Sequence, residues 1–84
     1  MIGTEAVMKE LLLAMVEELV EDKSAIEITA DEPKEDGTIV YHLHVAPGDM
    51  GRVIGKQGRI AKAIRTIMRA GAVRHSEKVM VEID

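Results

Sequence analysis

Gly55 and Gly58, with Lys56 and Gln57 between them, are the residues of this chain best suited to chemistry on an anion. Neither glycine carries a Cβ, so a ligand backbone can approach the main chain there within hydrogen-bonding distance. Lys56 can reach a phosphate oxygen, and Gln57 offers both donors and acceptors. The apolar pair Val53-Ile54 leads into this link, and a basic helical pattern beginning at Arg59-Ile60 leads out of it. The N–H groups that open such a helix favour an anion as well. The run reads as a phosphate-gripping loop for single-stranded nucleic acid. A nucleotide-binding P-loop fits neither the spacing nor the chemistry, because it needs four residues between its glycines and Ser or Thr after its Lys. Here only Arg52, Val53 and Ile54 separate Gly51 from Gly55, and Gln57 follows Lys56.

Other reactive constellations are weaker. The chain has no Cys, which excludes disulfides, thiol catalysis and cysteine zinc sites. His42 and His44 share one strand face, but two histidines without a third ligand read as surface residues, so no metal or other cofactor is expected. His75 sits near a helix end and eases its dipole. Asp49 reads as a first-turn acid, not a catalytic base. No nucleophile has an apparent base beside it, and no catalysis is expected.

The 84 residues suit one domain, near the small end for an autonomous core. The apolar 46% is Ile, Val, Leu, Met and Ala, with Tyr41 the only aromatic residue. Stacking platforms of the kind used by sheet-based RNA readers are therefore excluded, and bases must rest on aliphatic side chains. The longest apolar run, Leu11 to Val16, cannot span a bilayer, and the N-terminus lacks the basic start of a secretory signal. The expectation is a soluble, cytoplasmic protein with no membrane partner.

The net charge of −4 hides a division. Residues 1–36 hold eleven acids and three bases, whereas residues 37–84 hold four acids and eight bases. From Met50 to Arg74 there are seven bases and no acid. A local positive field, not total charge, attracts a phosphate backbone. The plainer reading, a solvated helix face, is disfavoured by the adjoining glycine link.

These residues need elements to position them. Residues 4–22 read as a helix with Thr4 as N-cap and a wide apolar stripe: Val7, Leu11, Met15 and Leu19, with Met8, Leu12, Val16 and Val20 beside them, extended by Leu13. Core packing is the favoured use of that stripe, and self-association the second. Residues 25–30 and 38–46 alternate as strands around a polar hairpin loop from Asp31 to Gly37. On the second strand Ile39, Tyr41, Leu43 and Val45 point inward, and Val40, His42 and His44 outward. Pro47 stops that strand and opens a short helix over 48–54. A longer helix follows over 58–72, with Ile60, Ile64, Ile67, Met68 and Gly71 toward the sheet and Arg59, Lys62, Arg65 and Arg69 on another side. Residues 78–83 form the last strand. A hairpin makes the first two strands antiparallel, and a right-handed crossover makes the second and third parallel. The expected architecture is α+β: α-β-β-α-α-β, a three-stranded mixed sheet with helices on one face.

This element order, together with the stretch from Val45 to Arg65 that contains Val53-Ile54-Gly55-Lys56-Gln57-Gly58-Arg59-Ile60, resembles a type II KH domain. The chain is similar over nearly its whole length, residues 1–84, to the small stand-alone bacterial KH RNA-binding proteins of the KhpA family. The resemblance implies that Gly55, Lys56, Gln57 and Gly58 form the signature loop. Val53, Ile54, Ile60 and Ile64 would shape or support the adjoining apolar groove, and Arg52, Arg59, Lys62 and Arg65 would draw in the backbone. It further implies single-stranded RNA as ligand, RNA-chaperone activity with a KhpB-type partner, homodimer formation, and links to cell shape. None of those cellular roles follows from the residues themselves, nor does a choice between RNA and single-stranded DNA. A protein-interaction or dimerisation module remains the alternative. Gly71, a departure within the long helix, reads as a marker of its end.

Overall fold

A computed structural model describes residues 3–84, apart from the Thr4 side chain. Helix α1 spans Thr4–Glu17, strand β1 Glu27–Ala30 and β2 Thr38–His44. A 3₁₀ turn over Pro47–Asp49 leads into α2, Met50–Ile54. A second such turn over Lys56–Gly58 leads into α3, Arg59–Arg74, and β3 spans Lys78–Ile83. The sheet order is β1-β2-β3, with β1 antiparallel and β3 parallel to β2. The expected α-β-β-α-α-β order and mixed sheet are both found.

The core lies between the sheet and the helices. Met8, Leu12, Val16 and Val20 from the first helical segment meet Tyr41, Leu43, Val45, Val79 and Val81 of the sheet side and Ile64, Met68 and Ala72 of α3. Burying such aliphatic side chains contributes about 1.5–3 kcal/mol each. The neighbouring row, Leu11, Met15 and Leu19, packs against the core from its edge. The wide stripe is therefore mostly interior, and only Leu13, 37% exposed, escapes.

Several element boundaries differ from the expected ones, each for a local reason. The N-cap of α1 is Gly3, not Thr4, and the Thr4 side chain lies outside the described residues. At the other end α1 stops at Glu17 instead of residue 22. The amides of Glu21 and Asp22, which would continue its ladder, donate instead to Asp49 Oδ1 (3.1 Å) and Oδ2 (3.0 Å). Asp49 is only 4% exposed, so this carboxylate ties the end of the first segment to the turn before α2. The first strand is shorter than expected because Lys23–Ala25 form a 3₁₀ turn, and β2 ends at His44, ahead of the turn that Pro47 opens.

Helix α3 runs past Gly71 to Arg74. Its true stop is a Schellman arrangement in which the Glu77 amide donates to the Ala72 carbonyl and the Ser76 amide to that of Val73. Ser76 occupies the left-handed position at φ 57°. Gly71 instead lets α1 approach closely: a Cβ there would lie 3.1 Å from Leu11 Cδ2. Ile67 is 46% exposed, not sheet-facing, because the buried row on α3 is Ala61, Ile64, Met68 and Ala72. Val40, expected outward, is 3% exposed. It lies on the central strand opposite Met80, and its carbonyl accepts from the Asp31 amide (3.0 Å).

On the helix-free face His42 joins all three strands. Its Nε2 is 2.8 Å from the Asp31 carboxylate, beyond β1, and its Nδ1 is 3.5 Å from Glu82 on β3. The hydrogen bond to Asp31 raises its pKa above the ordinary 6.5, against the opposing effect of burial and with the help of the Asp31, Glu82 and Asp84 charges. The Asp49 carboxyl is lowered below 3.8, first by the Asp22 amide, then by that of Glu21. A raised histidine stabilises the fold fully below its unfolded value and loses that effect as pH rises through the folded one. A lowered carboxyl stabilises above its unfolded value and loses the effect as pH falls through the folded one. Melting temperature should therefore be highest at mildly acidic pH, above about 4 and below about 6.5. His42→Gln should flatten the alkaline side of a differential scanning fluorimetry profile, and Asp49→Asn should lower the melting temperature by about 5 °C or more. Ser76→Gly should stabilise the protein by about 1 kcal/mol in chemical denaturation, since glycine adopts the left-handed cap without strain.

Candidate nucleic-acid interface

The glycine link is built by backbone torsions that its sequence permits. Gly55 closes α2 at φ 75°, ψ 173°, a conformation open essentially to glycine alone, and its amide donates to the Gly51 carbonyl at 2.8 Å. Gln57 (φ 58°, ψ 25°) and Gly58 (φ 73°, ψ 13°) are both left-handed. This reversal of the chain presents Lys56 and Gln57 outward, and both are exposed. A Cβ on Gly55 would fall 2.6 Å from Ile60 Cγ1 and 2.8 Å from Ile60 Cβ, so the loop folds back tightly on the first turn of α3. At Gly58 a Cβ would meet open space.

Helix α3 begins at this reversal with no side-chain cap and no acid in its first turn. Its opening amides therefore present a positive dipole end beside Lys56. Arg59, Lys62, Arg65 and Arg69 are exposed along the same helix. Among the described residues none of these four pairs with an acid, nor does Lys56. Arg59 Nη2 reaches Gln57 Oε1 at 3.3 Å, which braces the loop tip. Arg65 Nε donates to the Val81 carbonyl at 3.2 Å, anchoring its guanidinium over the outer edge of β3.

Arg52 is held differently. One guanidinium nitrogen pairs with the Glu21 carboxylate, and the other lies 3.5 Å from Asp49 Oδ1. Its positive charge is thus shared with Glu21, from the negative half of the chain, and with Asp49. Of the apolar residues expected at a groove, Val53 and Ile64 are buried, at 0% and 3% exposure, and act only from beneath. Ile54 is 38% exposed and Ile60 half-buried, so these two form the accessible aliphatic surface next to the loop.

The structure adds a feature that residue spacing does not reveal. A cleft of about 250 Å³ lies between α3 and the edge of β3, lined by Arg65, Arg69, Val79, Met80 and Val81. Met80 is 49% exposed there. The parallel crossover brings the last strand alongside α3, so the sequence signal was the connection between elements, not any motif. Loop, uncapped helix end and basic helix face thus form one positive surface, and the cleft opens between that helix and an aliphatic sheet edge. That arrangement suits a phosphate chain with unpaired bases.

The fold is that of a type II KH domain. The sequence pattern described as the KhpA/KhpB KH domain matches residues 9–83. The chain is 47% identical over 76 residues to the RNA-binding protein KhpA of Clostridium acetobutylicum, covering 90% of this chain and 99% of that protein. It is 47% identical to the RNA-binding protein KhpA of Listeria monocytogenes, over 90% and 97% of the two chains, and 45% identical to that of Chlamydia trachomatis, over 90% and 95%. The chain belongs to the KhpA/KhpB KH-domain family. Those relatives are named for binding, not for catalysis. Among solved structures, a variant of Aquifex aeolicus Era bound to GDP.AlF4− superposes with a TM-score of 0.69 at 17% identity, covering 99% of this chain and 31% of Era. Era in complex with MgGDPNP and nucleotides 1506–1542 of 16S ribosomal RNA gives a TM-score of 0.68 at 17% identity, over 98% of this chain and 30% of that one. This chain thus spans about a third of Era, and at that identity the likeness concerns the fold alone.

The two glycines should respond unequally to substitution. Gly55→Ala meets both a forbidden torsion and the Ile60 side chain, and should destabilise the protein by about 2–3 kcal/mol in urea unfolding. Gly58→Ala faces the torsional cost only, about 1 kcal/mol, and should leave the fold intact.

Proposed function

We propose that this chain is a single KH domain, residues 1–84, that binds single-stranded RNA without catalysing a reaction. The observation that carries the reading is the juxtaposition of a Gly-x-x-Gly reversal, an uncapped helix start and a run of unpaired cations beside an aliphatic surface. The family membership and the names of its relatives support it.

In this mechanism the backbone amides of Gly55, Lys56, Gln57 and Gly58, with the Lys56 ammonium, hold phosphates of a few consecutive nucleotides. Arg59 and Lys62 extend the contact along α3. Arg65, fixed on the Val81 carbonyl, marks the far wall of the groove, and Arg52 contributes field more than contact because Glu21 and Asp49 engage it. Bases rest on Ile54 and Ile60, supported from below by Val53. With no aromatic platform, affinity comes mainly from the phosphates and sequence preference is modest.

At the cellular level the reading is a cytoplasmic RNA chaperone or post-transcriptional regulator with influence on cell shape, working with a KhpB-type KH protein or as a homodimer. No helix among the described residues is long and apolar enough to cross a membrane. The exposed Ile67 and Val73 on α3, at 46% and 70%, provide an apolar surface for a second KH domain. That is also the observation favouring the alternative, a protein-interaction module in which nucleic-acid binding is secondary.

Replacing Lys56 and Gln57 together by Asp should abolish retention of single-stranded RNA in filter binding, while circular dichroism and melting stay near wild type. For four phosphate contacts the wild-type affinity should fall with salt at a log–log slope of about −3. Retention by the double variant would overturn the loop assignment, and a defined oligomer with no saturable binding would favour the interaction module. Single-stranded DNA of the same sequence as competitor decides between the two nucleic acids.

A further inference from the structure

The sheet has two outer edges, and they are finished differently. At β3 one carbonyl, that of Val81, is already taken by Arg65, and the adjoining cleft belongs to the proposed RNA surface. At β1 the register Thr29↔His42, with the Asp31 amide donating to Val40, turns the main-chain groups of Glu27, Thr29 and Asp31 toward β2. Ile28 and Ala30 must then project their N–H and C=O groups outward. Among the described residues no backbone hydrogen bond outside the sheet occupies them. Above this edge runs α1, and between the two lies a groove of about 270 Å³ lined by Lys9, Glu10, Leu13, Ile26 and Ile28. It sits on the opposite side of the sheet order from the RNA cleft.

We propose that this groove docks an extended segment of a partner protein, aliphatic at alternate positions and Lys- or Arg-bearing between them, which adds to β1 as a fourth strand. The combination of an edge strand and an overlying helix is the geometry in which strand addition gains affinity from main-chain bonds and selectivity from side-chain pockets. One aliphatic side chain enters the groove against Leu13, Ile26 and Ile28; the volume is below that of ordinary small-molecule sites. Successive side chains of the added strand point to opposite faces, so its basic residues emerge beside Glu27 on the helix-free face. Glu27 and Asp31 are acids on that face, and Glu10 lines the groove. Lys9, the one cation lining it, lies 3.5 Å from Glu5. The charge is therefore complementary to a basic strand. A second copy's β1 is a poor occupant, because it would set Glu27 and Asp31 of each chain against acids of the other.

The test is an NMR titration of the ¹⁵N-labelled chain with a seven-residue peptide of alternating Lys and Val. Saturable shifts should centre on the Leu13, Ile28 and Ala30 amides. The counterpart with Glu in place of Lys should bind at least about tenfold more weakly. Ala30→Pro removes one outward N–H at an edge position where proline is tolerated, and should weaken the Lys-Val peptide about tenfold. Leu13→Ser, which leaves the backbone untouched, should do the same if the proline variant fails to fold. Absence of saturable shifts by about 1 mM peptide, shifts centred elsewhere, or equal binding of the acidic peptide would overturn the proposal. Because these residues are remote from Gly55–Gly58, RNA binding and peptide binding fail or stand separately.

Discussion

Asp49 is a buried charge through which the two halves of this chain meet. Its carboxylate takes the amides of Glu21 and Asp22 at 3.1 and 3.0 Å while the chain turns from β2 into α2. A buried carboxylate persists only when hydrogen bonds replace its lost hydration, and these two amides supply them. In return, two N–H groups at the end of the first segment gain an acceptor. The bond sets where α1 stops, and it holds the start of α2 against a rigid neighbour. Since α2 delivers the chain into Gly55, the orientation of the whole glycine link rests on this contact.

From that anchor the loop geometry follows with little freedom. Four residues reverse the chain using three positive φ torsions, and Ile60 closes the space a Cβ at Gly55 would need. Ile60 in turn packs against the core, so a surface loop is tied to the interior through one aliphatic side chain. This is how an exposed, polar tip keeps a defined shape: the strain is local and the support is apolar. Arg59 on Gln57 and Arg65 on Val81 restrict two of the nearby cations further, so part of the side-chain ordering cost of binding is already met in the free protein.

The division of charge along the chain becomes a division in space. The basic run lies on α2, the loop and α3, while α1 and the β1–β2 hairpin carry most of the acids. An overall negative chain can thus offer phosphate one attractive face and repel it from the rest, which orients an approaching strand. Arg52 marks the seam, because Glu21 and Asp49 hold it.

Period and composition alone determined where three strands form, though not their ends or the burial of Val40, and with them the element order and the loop that carries the proposed binding. Alternation of Tyr41, Leu43, Val79 and Val81, the Gly-x-x-Gly spacing and the acid-free stretch are all local signals, readable without neighbours. What they could not specify depended on contacts between distant segments. Asp49 looked like a first-turn acid, because its partners lie 28 and 27 residues away. Gly71 looked like a helix stop, but it is spacing for Leu11, and the stop is Ser76. Ile67 fitted the helical period of the core, yet the rotation of α3 was set by Ala61, Ile64, Met68 and Ala72 meeting the sheet. Val53 and Ile54 are adjacent in sequence and apolar alike, and packing buried one and left the other at the surface. Helical and strand periods are properties of a chain by itself. Which side of an element faces inward, and which carboxylate loses its water, is decided when another element arrives to cover it.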